Sequence, residues 1–129
     1  MRARILFLAT TPAVSRAIAA MLESNDFYVT RSDAAPEAAR LLAAEQFDLL
    51  AVEVKASPRH DGLRFLRHVH GTAPHFTPRI VVISGDPSEN VRRELDNIGI
   101  CDVVLKPVHE DEILAAVIEC LDRTSATVH

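Results

Sequence analysis

The chain of 129 residues has few of the residues from which nucleotide loops and metal sites are built. It contains only four glycines, too few and too scattered for a P-loop or a dinucleotide-binding fingerprint, so both motifs are excluded. Its two cysteines, Cys101 and Cys120, show no metal-ligand spacing, and a chain of this size needs no disulfide to stabilise it. We interpret them as reduced thiols of a cytoplasmic protein.

The sequence also lacks a strong excess of one charge and any long apolar run. The formal net charge of -4 provides no basic surface, so we expect neither nucleic acid nor an anionic membrane as a partner. The apolar run at residues 5–8 is too short for a signal-peptide core or a membrane span, and no apolar run long enough for a span follows it. We therefore expect a soluble protein.

The composition, with 48% hydrophobic and 25% charged residues, is that of an ordinary globular protein. We expect one domain at residues 1–123, followed by a frayed tail at residues 124–129. A weak run at residues 27–30 predicts a strand at a sheet edge. Compact apolar runs without polar alternation, which are typical of strands covered on both faces, occur at residues 5–8, 49–52, 80–83 and 103–105.

Segments with apolar residues at helical spacing follow each predicted strand. Five strands that alternate with five helices predict a parallel sheet with helices on both faces, a doubly wound three-layer α/β domain. Prolines that a first helical turn tolerates and aspartates that favour a helix start lie near the predicted helix starts, at Pro12, Pro36, Pro87, Asp33, Asp86 and Asp111.

In such a sheet the ligand crevice lies beyond the carboxyl ends of the strands. Of the residues predicted there only Glu53 and Lys106 carry charge, and a carboxylate that ends an apolar strand is costly unless it is paired. Lys106 is the expected partner. The pair is either a structural salt bridge with Ser84 hydrogen-bonded nearby, or part of a phosphorylation-type site. The other residues expected at the crevice are Ala9, Thr10, Thr11, Gly85 and Pro107.

These residues resemble a known family, the CheY-like receiver domains of bacterial two-component response regulators. Ser84-Gly85 resembles the family's Thr/Ser-Ala pair, and Lys106-Pro107, 22 positions beyond Ser84, resembles its Lys-Pro pair, whose peptide bond is usually cis. Pro58 and Asp61-Gly62 resemble the loop after strand three, with one extra residue inserted. The resemblance covers residues 5 to about 121 and implies the flavodoxin-like (βα)5 fold with sheet order 2-1-3-4-5.

The departures from the family pattern concern the site itself. Receivers place two acidic residues after strand one to hold Mg²⁺, and the matching positions here are Ala9 and Thr10. The phosphoacceptor aspartate is replaced by Glu53, and the aromatic switch residue by Val103. Since Mg²⁺ needs octahedral oxygen ligands and phosphoryl transfer needs charge neutralisation, we expect neither Mg²⁺ binding nor phosphorylation of Glu53.

A glutamate at this position reaches further than an aspartate and could hold Ser84 and Lys106 inward permanently, as a phosphoryl oxygen does in the family. Val103 has no ring to swing between exposed and buried positions. The resemblance therefore implies a degenerate receiver, a pseudo-receiver, that presents a constitutive surface. It would be a protein–protein interaction module and not an enzyme, and it would need no cofactor.

The family relationship also implies partners: a histidine kinase, an output domain or another regulator. A homodimer through the face formed by helix four, strand five and helix five is an alternative to a solvated mixed-charge surface. Two functional alternatives remain open. One is an anion or small-molecule sensing pocket at Thr10, Thr11 and Lys106, and the other is a conventional response regulator that phosphorylates weakly.

Three other sites are less favoured by the sequence. The turn at residues 10–15 could bind a phosphate or flavin at a helix start, but it has no glycine, and ordinary N-capping is the simpler explanation. A hydrolase built on Ser84, His109 and Asp102 or Asp86 lacks the nucleophile elbow. A metal site would need a histidine spacing that the chain does not show among His60, His68, His70 and His75.

Overall fold

The computed structural model describes residues 2–55, 61–72, 79–85 and 89–126. Strands and helices alternate along the chain, as the apolar runs and helical stripes predicted. In chain order they are β1 (Arg4–Leu8), α1 (Pro12–Ser24), β2 (Tyr28–Ser32), α2 (Ala35–Ala44), β3 (Leu49–Val54), α3 (Asp61–Thr72), β4 (Ile80–Ser84), α4 (Glu89–Ile98), β5 (Asp102–Leu105) and α5 (Glu110–Ala126).

All five strands form one parallel sheet in the order β2-β1-β3-β4-β5, so the predicted doubly wound α/β fold and its strand order are confirmed. The strand order reverses between β1 and β3, which places the crevice of the fold at their carboxyl ends. Two apolar cores lie on opposite faces of the sheet. Phe7, Ile83 and Val117 belong to the core under α1 and α5, and Leu50 and Phe65 to the core under α2, α3 and α4.

The alternation along β3 decides which face each side chain meets. Leu49 and Ala51 belong to the core under α1 and α5, whereas Leu50 and Val52 belong to the other core. Because successive residues of a strand point to opposite faces, Glu53 falls on the α1 side. The sequence predicted Glu53 as the residue that ends the third strand, and β3 continues one residue further, to Val54.

Several predicted boundaries shift by one to three residues. The edge strand β2 begins and ends later than predicted, at Tyr28 and Ser32. Ala34 is the N-cap of α2, not Asp33, and Asp111 lies inside the first turn of α5 instead of preceding it. Helix α5 continues to Ala126, through the first three residues of the predicted frayed tail.

Some sequence predictions fall on residues that lie outside the described part of the chain. These are the helix-start signals Asp86 and Pro87, Pro58 of the loop after β3, the histidines His60 and His75, and the last three residues of the tail. Within the described part, none of the helices combines the length and the apolar character that a bilayer crossing requires.

Candidate functional site

Glu53 is the centre of the crevice. Its side chain is fully buried although it carries a carboxylate, and it lies where β3 approaches the start of α1. A buried carboxylate needs hydrogen bonds and a counter-charge to be stable as an ion. Glu53 has both, because two segments of the chain, one just before α1 and one just after β5, supply donors to its two oxygens.

The first oxygen of Glu53 is held by the start of α1. Oε1 accepts hydrogen bonds from the backbone amides of Thr10 at 2.9 Å and Thr11 at 3.0 Å, and the Thr10 hydroxyl lies 3.4 Å away. Free amides at a helix N-terminus carry partial positive charge and favour an anion. The Glu53 carboxylate therefore binds the two consecutive amides that immediately precede Pro12, the first residue of α1.

This arrangement corrects the capping prediction for the turn at residues 10–15. Thr11 is the N-cap residue of α1 by position, but its side chain makes no capping hydrogen bond. No residue in the first turn of α1 is acidic. The backbone amide of Thr11 is instead bound by Glu53 of β3, a residue more than 40 positions away in the sequence.

The second oxygen of Glu53 is held by the end of β5. The Lys106 ammonium donates to Oε2 with an Nζ–Oε2 distance of 2.6 Å, and the Lys106 side chain is 28% exposed. Lys106 is fixed in turn, since its backbone amide donates to the carbonyl of Ser84 at 2.8 Å. The pairing expected between Glu53 and Lys106 is present, and the Lys106–Pro107 peptide bond is cis.

These contacts set the ionisation of Glu53. Burial by itself raises the pKa of a carboxyl group, but the hydrogen bonds from Lys106 and Thr11 and the charge of Lys106 outweigh it, so the pKa of Glu53 lies below its ordinary value of 4.5. Glu53 is therefore an anion at neutral pH, balanced by one ammonium and by the dipole of α1.

Ser84 does not join this network. Its side chain is 1% exposed, yet its Oγ has no hydrogen-bond partner among the described residues. The expectation that Glu53 would hold both Ser84 and Lys106 is thus wrong for Ser84. The reason is that alternate residues of a strand point to the same face of the sheet. Ile80 and Val82 belong to the core under α2, α3 and α4, so Ser84 points to that face, which is opposite to the face of Glu53.

Gly62 allows α3 to lie close to the end of β3. The sequence identified this glycine only through the resemblance to the receiver family. A Cβ added at Gly62 would lie 2.1 Å from the carbonyl oxygen of Glu53. Any larger residue would push α3 away from the end of β3. The only sequence signal is that an Asp-Gly pair precedes the apolar stripe of the third helix.

The other predicted site residues lie near the pair without adding charge. Ala9 is buried, and its amide donates to the carbonyl of Ser32 at 3.0 Å. Val103 is partly buried and packs against the core under α2, α3 and α4. Pro107 is exposed and, together with Lys106, Val108 and residues of α1, lines an apolar groove of about 400 Å³.

The less favoured sites are not assembled by the residues that the structure describes. Ser84 Oγ contacts no described hydrogen-bonding group, so a serine–histidine pair with His109 is not formed there. Over the same residues, no group of three or more histidine, cysteine, aspartate or glutamate side chains could hold a metal ion. Cys101 and Cys120 both lie in the described part of the chain, and neither forms a disulfide bond.

Solved structures share this architecture. A CheY-like response regulator receiver domain protein from Methanospirillum hungatei superposes with a TM-score of 0.86 at 22% identity, covering 98% of this chain and 99% of that one. The signal receiver domain of an HD domain-containing protein from Pseudomonas fluorescens gives a TM-score of 0.83 at 23% identity, covering 98% and 99%. At these identities the likeness establishes the fold.

The family is shown by the sequence. Residues 5–118 match the model of the response regulator receiver domain, and the chain belongs to that family. The chain is also 25% identical over 119 residues to the alginate biosynthesis transcriptional regulatory protein AlgB of Pseudomonas aeruginosa. That match covers 92% of this chain but only 26% of AlgB, so this chain spans about a quarter of that relative's length.

Proposed function

We propose that this receiver domain is a phosphorylation-independent interaction module of two-component signalling, a pseudo-receiver whose state is set by Glu53. The observation that carries the proposal is that both oxygens of the buried Glu53 carboxylate already accept hydrogen bonds. Each Glu53 oxygen already has donors within 3.0 Å, from α1 on one side and from Lys106 on the other. The Glu53 carboxylate thus occupies the contacts that a reversibly attached phosphoryl group would need.

The donor set does not suit Mg²⁺, the metal that the family resemblance implies. Mg²⁺ requires near-octahedral oxygen ligands and usually one or two carboxylates. The positions of the family's acidic pair are Ala9 and Thr10, and Glu53 directs its oxygens to an ammonium and to amide hydrogens. A cation would have to displace Lys106 from Glu53, so we propose that Mg²⁺ affinity is lost and that the domain uses no cofactor.

Phosphorylation of Glu53 is disfavoured by the same geometry. An attacking carboxylate oxygen must be accessible and in line with the leaving group, and its new charge must be neutralised. The Glu53 side chain is fully buried, and its charge is already matched by Lys106. For the same reason we propose that the domain catalyses no reaction of its own.

A partner surface is available on the edge of the sheet. Strand β5 is an edge strand, and Leu105 on it and Ile118 on α5 are 48% and 44% exposed, respectively. On α4, Arg93 pairs with Glu89 and Glu94 pairs with Arg67 of α3, whereas Arg92 and Asp96 stay exposed. We propose this α4-β5-α5 face for a kinase, an output domain, another regulator or a second copy of the chain.

The sensing alternative is less well supported by the site. A diffusible anion would use the amides of Thr10 and Thr11 together with Lys106, and Glu53 already occupies all three. Thermal-shift measurements with phosphate and nucleotides separate the two functions. A large saturable stabilisation of the wild-type protein that Lys106→Ala abolishes would favour the sensor.

Incubation with acetyl phosphate and Mg²⁺, followed by intact-mass measurement, tests the proposed function directly. We expect no phosphoryl group to be added to the wild-type protein. A stoichiometric phosphoryl group that peptide mapping places on Glu53 would overturn the proposal and favour a conventional response regulator that phosphorylates weakly.

A further inference from the structure

The crevice has the composition of an oxyanion-binding site with a resident ligand. Two consecutive amides, those of Thr10 and Thr11, converge on one oxygen, and the Lys106 ammonium contacts the other. The bound group is the carboxylate of Glu53, which is fully buried. The site is therefore more than a helix N-terminus, because a lysine from β5 completes it and a carboxylate is seen bound.

The backbone around each donor makes hydrogen bonds that do not involve Glu53. Where α1 begins, Ser15 N donates to Thr11 O at 2.9 Å. Ala9 N donates to Ser32 O at 3.0 Å, and Lys106 N donates to Ser84 O at 2.8 Å. Loss of the Glu53 carboxylate would leave these backbone hydrogen bonds in place and would remove the acceptor that the two amides and the Lys106 ammonium share.

We propose that Glu53 is a tethered ligand of an oxyanion-binding site, and that a small carboxylate takes its place when the side chain is truncated. The ligand class is a monovalent planar carboxylate, because one oxygen must meet the two amides while the other meets Lys106. Orphaned buried donors are costly, and this cost drives binding of the free ligand. The tether keeps diffusible anions out of the wild-type site.

Formate is the appropriate probe. Truncation of Glu53 to alanine removes the carboxylate and one methylene but keeps Cβ, which leaves room for the smallest carboxylate and less for a longer one. The Lys106 side chain, at 28% exposed, shows that the site is reachable from solvent on that side. We therefore expect formate to bind Glu53→Ala better than acetate, and acetate better than propionate.

The experiment is a thermal-shift titration of the full chain with sodium formate, at ionic strength matched with sodium chloride. Glu53→Ala is expected to gain about 3 to 6 °C in melting temperature, saturating with formate, at concentrations near ten times the dissociation constant. The wild-type protein and Glu45→Ala, which truncates an exposed glutamate paired with Arg4, should not respond. Neutral formamide should have no effect.

The double variant Glu53→Ala, Lys106→Met separates the proposed site from a general salt effect. It lacks the ammonium that contacts the second oxygen, so it should lose the formate response. If Glu53→Ala does not fold in chloride, the same titration follows its refolding yield, and Glu53→Gly provides a second variant with more room. A response to formate no greater than that to chloride in both variants would overturn the inference.

This inference deepens the proposed function, and the two can fail separately. A phosphoryl group on wild-type Glu53 would refute the proposed function while leaving the formate result unchanged. Absence of formate binding by the truncated variants would refute the tethered-ligand inference and leave the question of phosphorylation to the acetyl phosphate experiment.

Discussion

The Lys106 ammonium donates a 2.6 Å hydrogen bond to the fully buried carboxylate of Glu53, and this contact joins the carboxyl ends of β5 and β3. The other oxygen of the same carboxylate accepts hydrogen bonds from the amides of Thr10 and Thr11, just before α1. One side chain thus links three segments that meet at the crevice.

Replacement of Glu53 by glutamine should destabilise the protein at neutral pH. The substitution keeps the shape but removes the charge that balances Lys106, and we expect a loss of about 2 kcal/mol in the free energy of unfolding, reduced from the fully buried case because Lys106 is partly exposed. Denaturant unfolding measures it. Glu45→Gln, at a partly exposed pair with Arg4, is the matched control and should cost under about 1 kcal/mol.

The effect of Glu53→Gln should depend on pH with a definite sign. Folding lowers the pKa of Glu53, so its ionised form contributes stability above the ordinary pKa of 4.5, and that contribution is lost as the pH falls through the lower folded-state value. The difference between wild type and variant should be constant from pH 7 to about 5 and shrink below 4.5. A difference that grows on acidification would contradict this assignment.

Gly62→Ala should destabilise the protein because the new Cβ would lie 2.1 Å from the carbonyl oxygen of Glu53. We expect a loss of about 1 to 3 kcal/mol, in the range of an overpacked core. Gly71→Ala on the same helix is the control, since nothing lies within 4 Å of its added Cβ. That control should be neutral or stabilise the helix by up to about 1 kcal/mol. Equal effects at both positions would be inconsistent with a close approach at Gly62.

Two of the buried serines, Ser84 and Ser15, should respond differently to replacement by alanine. Ser84 Oγ is buried without a hydrogen-bond partner among the described residues, so its removal should leave the free energy of unfolding unchanged or slightly higher. Ser15 Oγ accepts a 2.9 Å hydrogen bond from Arg31 Nε, and its removal should cost about 1 kcal/mol. A large destabilisation in Ser84→Ala would show that its hydroxyl is used.

Restoring the family's acidic residues should create a metal site. The triple variant Ala9→Asp, Thr10→Asp, Glu53→Asp removes the long tethered carboxylate and supplies three shorter ones at the carboxyl ends of β1 and β3. We expect calorimetry to detect Mg²⁺ binding by the triple variant and none by the wild-type protein. Failure of the triple variant to bind Mg²⁺ would mean that the scaffold differs from a functional receiver in more than these side chains.

The fold was predictable because its signals are local. Runs such as residues 80–83 are apolar on both faces, and each is followed by a helical stripe, which is how a covered parallel sheet must be encoded. Boundaries were less accurate at strand ends. Glu53 was predicted to end β3 because it is charged, but the strand continues to Val54, since Lys106 and the amides of Thr10 and Thr11 compensate the charge of Glu53.

The site was predictable in part. Two opposite charges at strand ends indicated the Glu53–Lys106 pair, since each would be costly alone. The binding of Glu53 to the amides of Thr10 and Thr11 was not predictable, because backbone amides carry no sequence signal. The isolation of Ser84 depends on which face of the sheet each strand end presents, and this follows only from the observed register, in which Val54, not Glu53, aligns with Ser84.

A crystal structure of the wild-type protein soaked with Mg²⁺ and beryllofluoride tests the central claim most directly. Beryllofluoride mimics a phosphoryl group, and it would have to break the contacts of Glu53 with Lys106 and α1 in order to bind. We predict an unchanged Glu53–Lys106 pair with no fluoride density beside it. An ordered magnesium–beryllofluoride group bound to the Glu53 carboxylate would contradict the account.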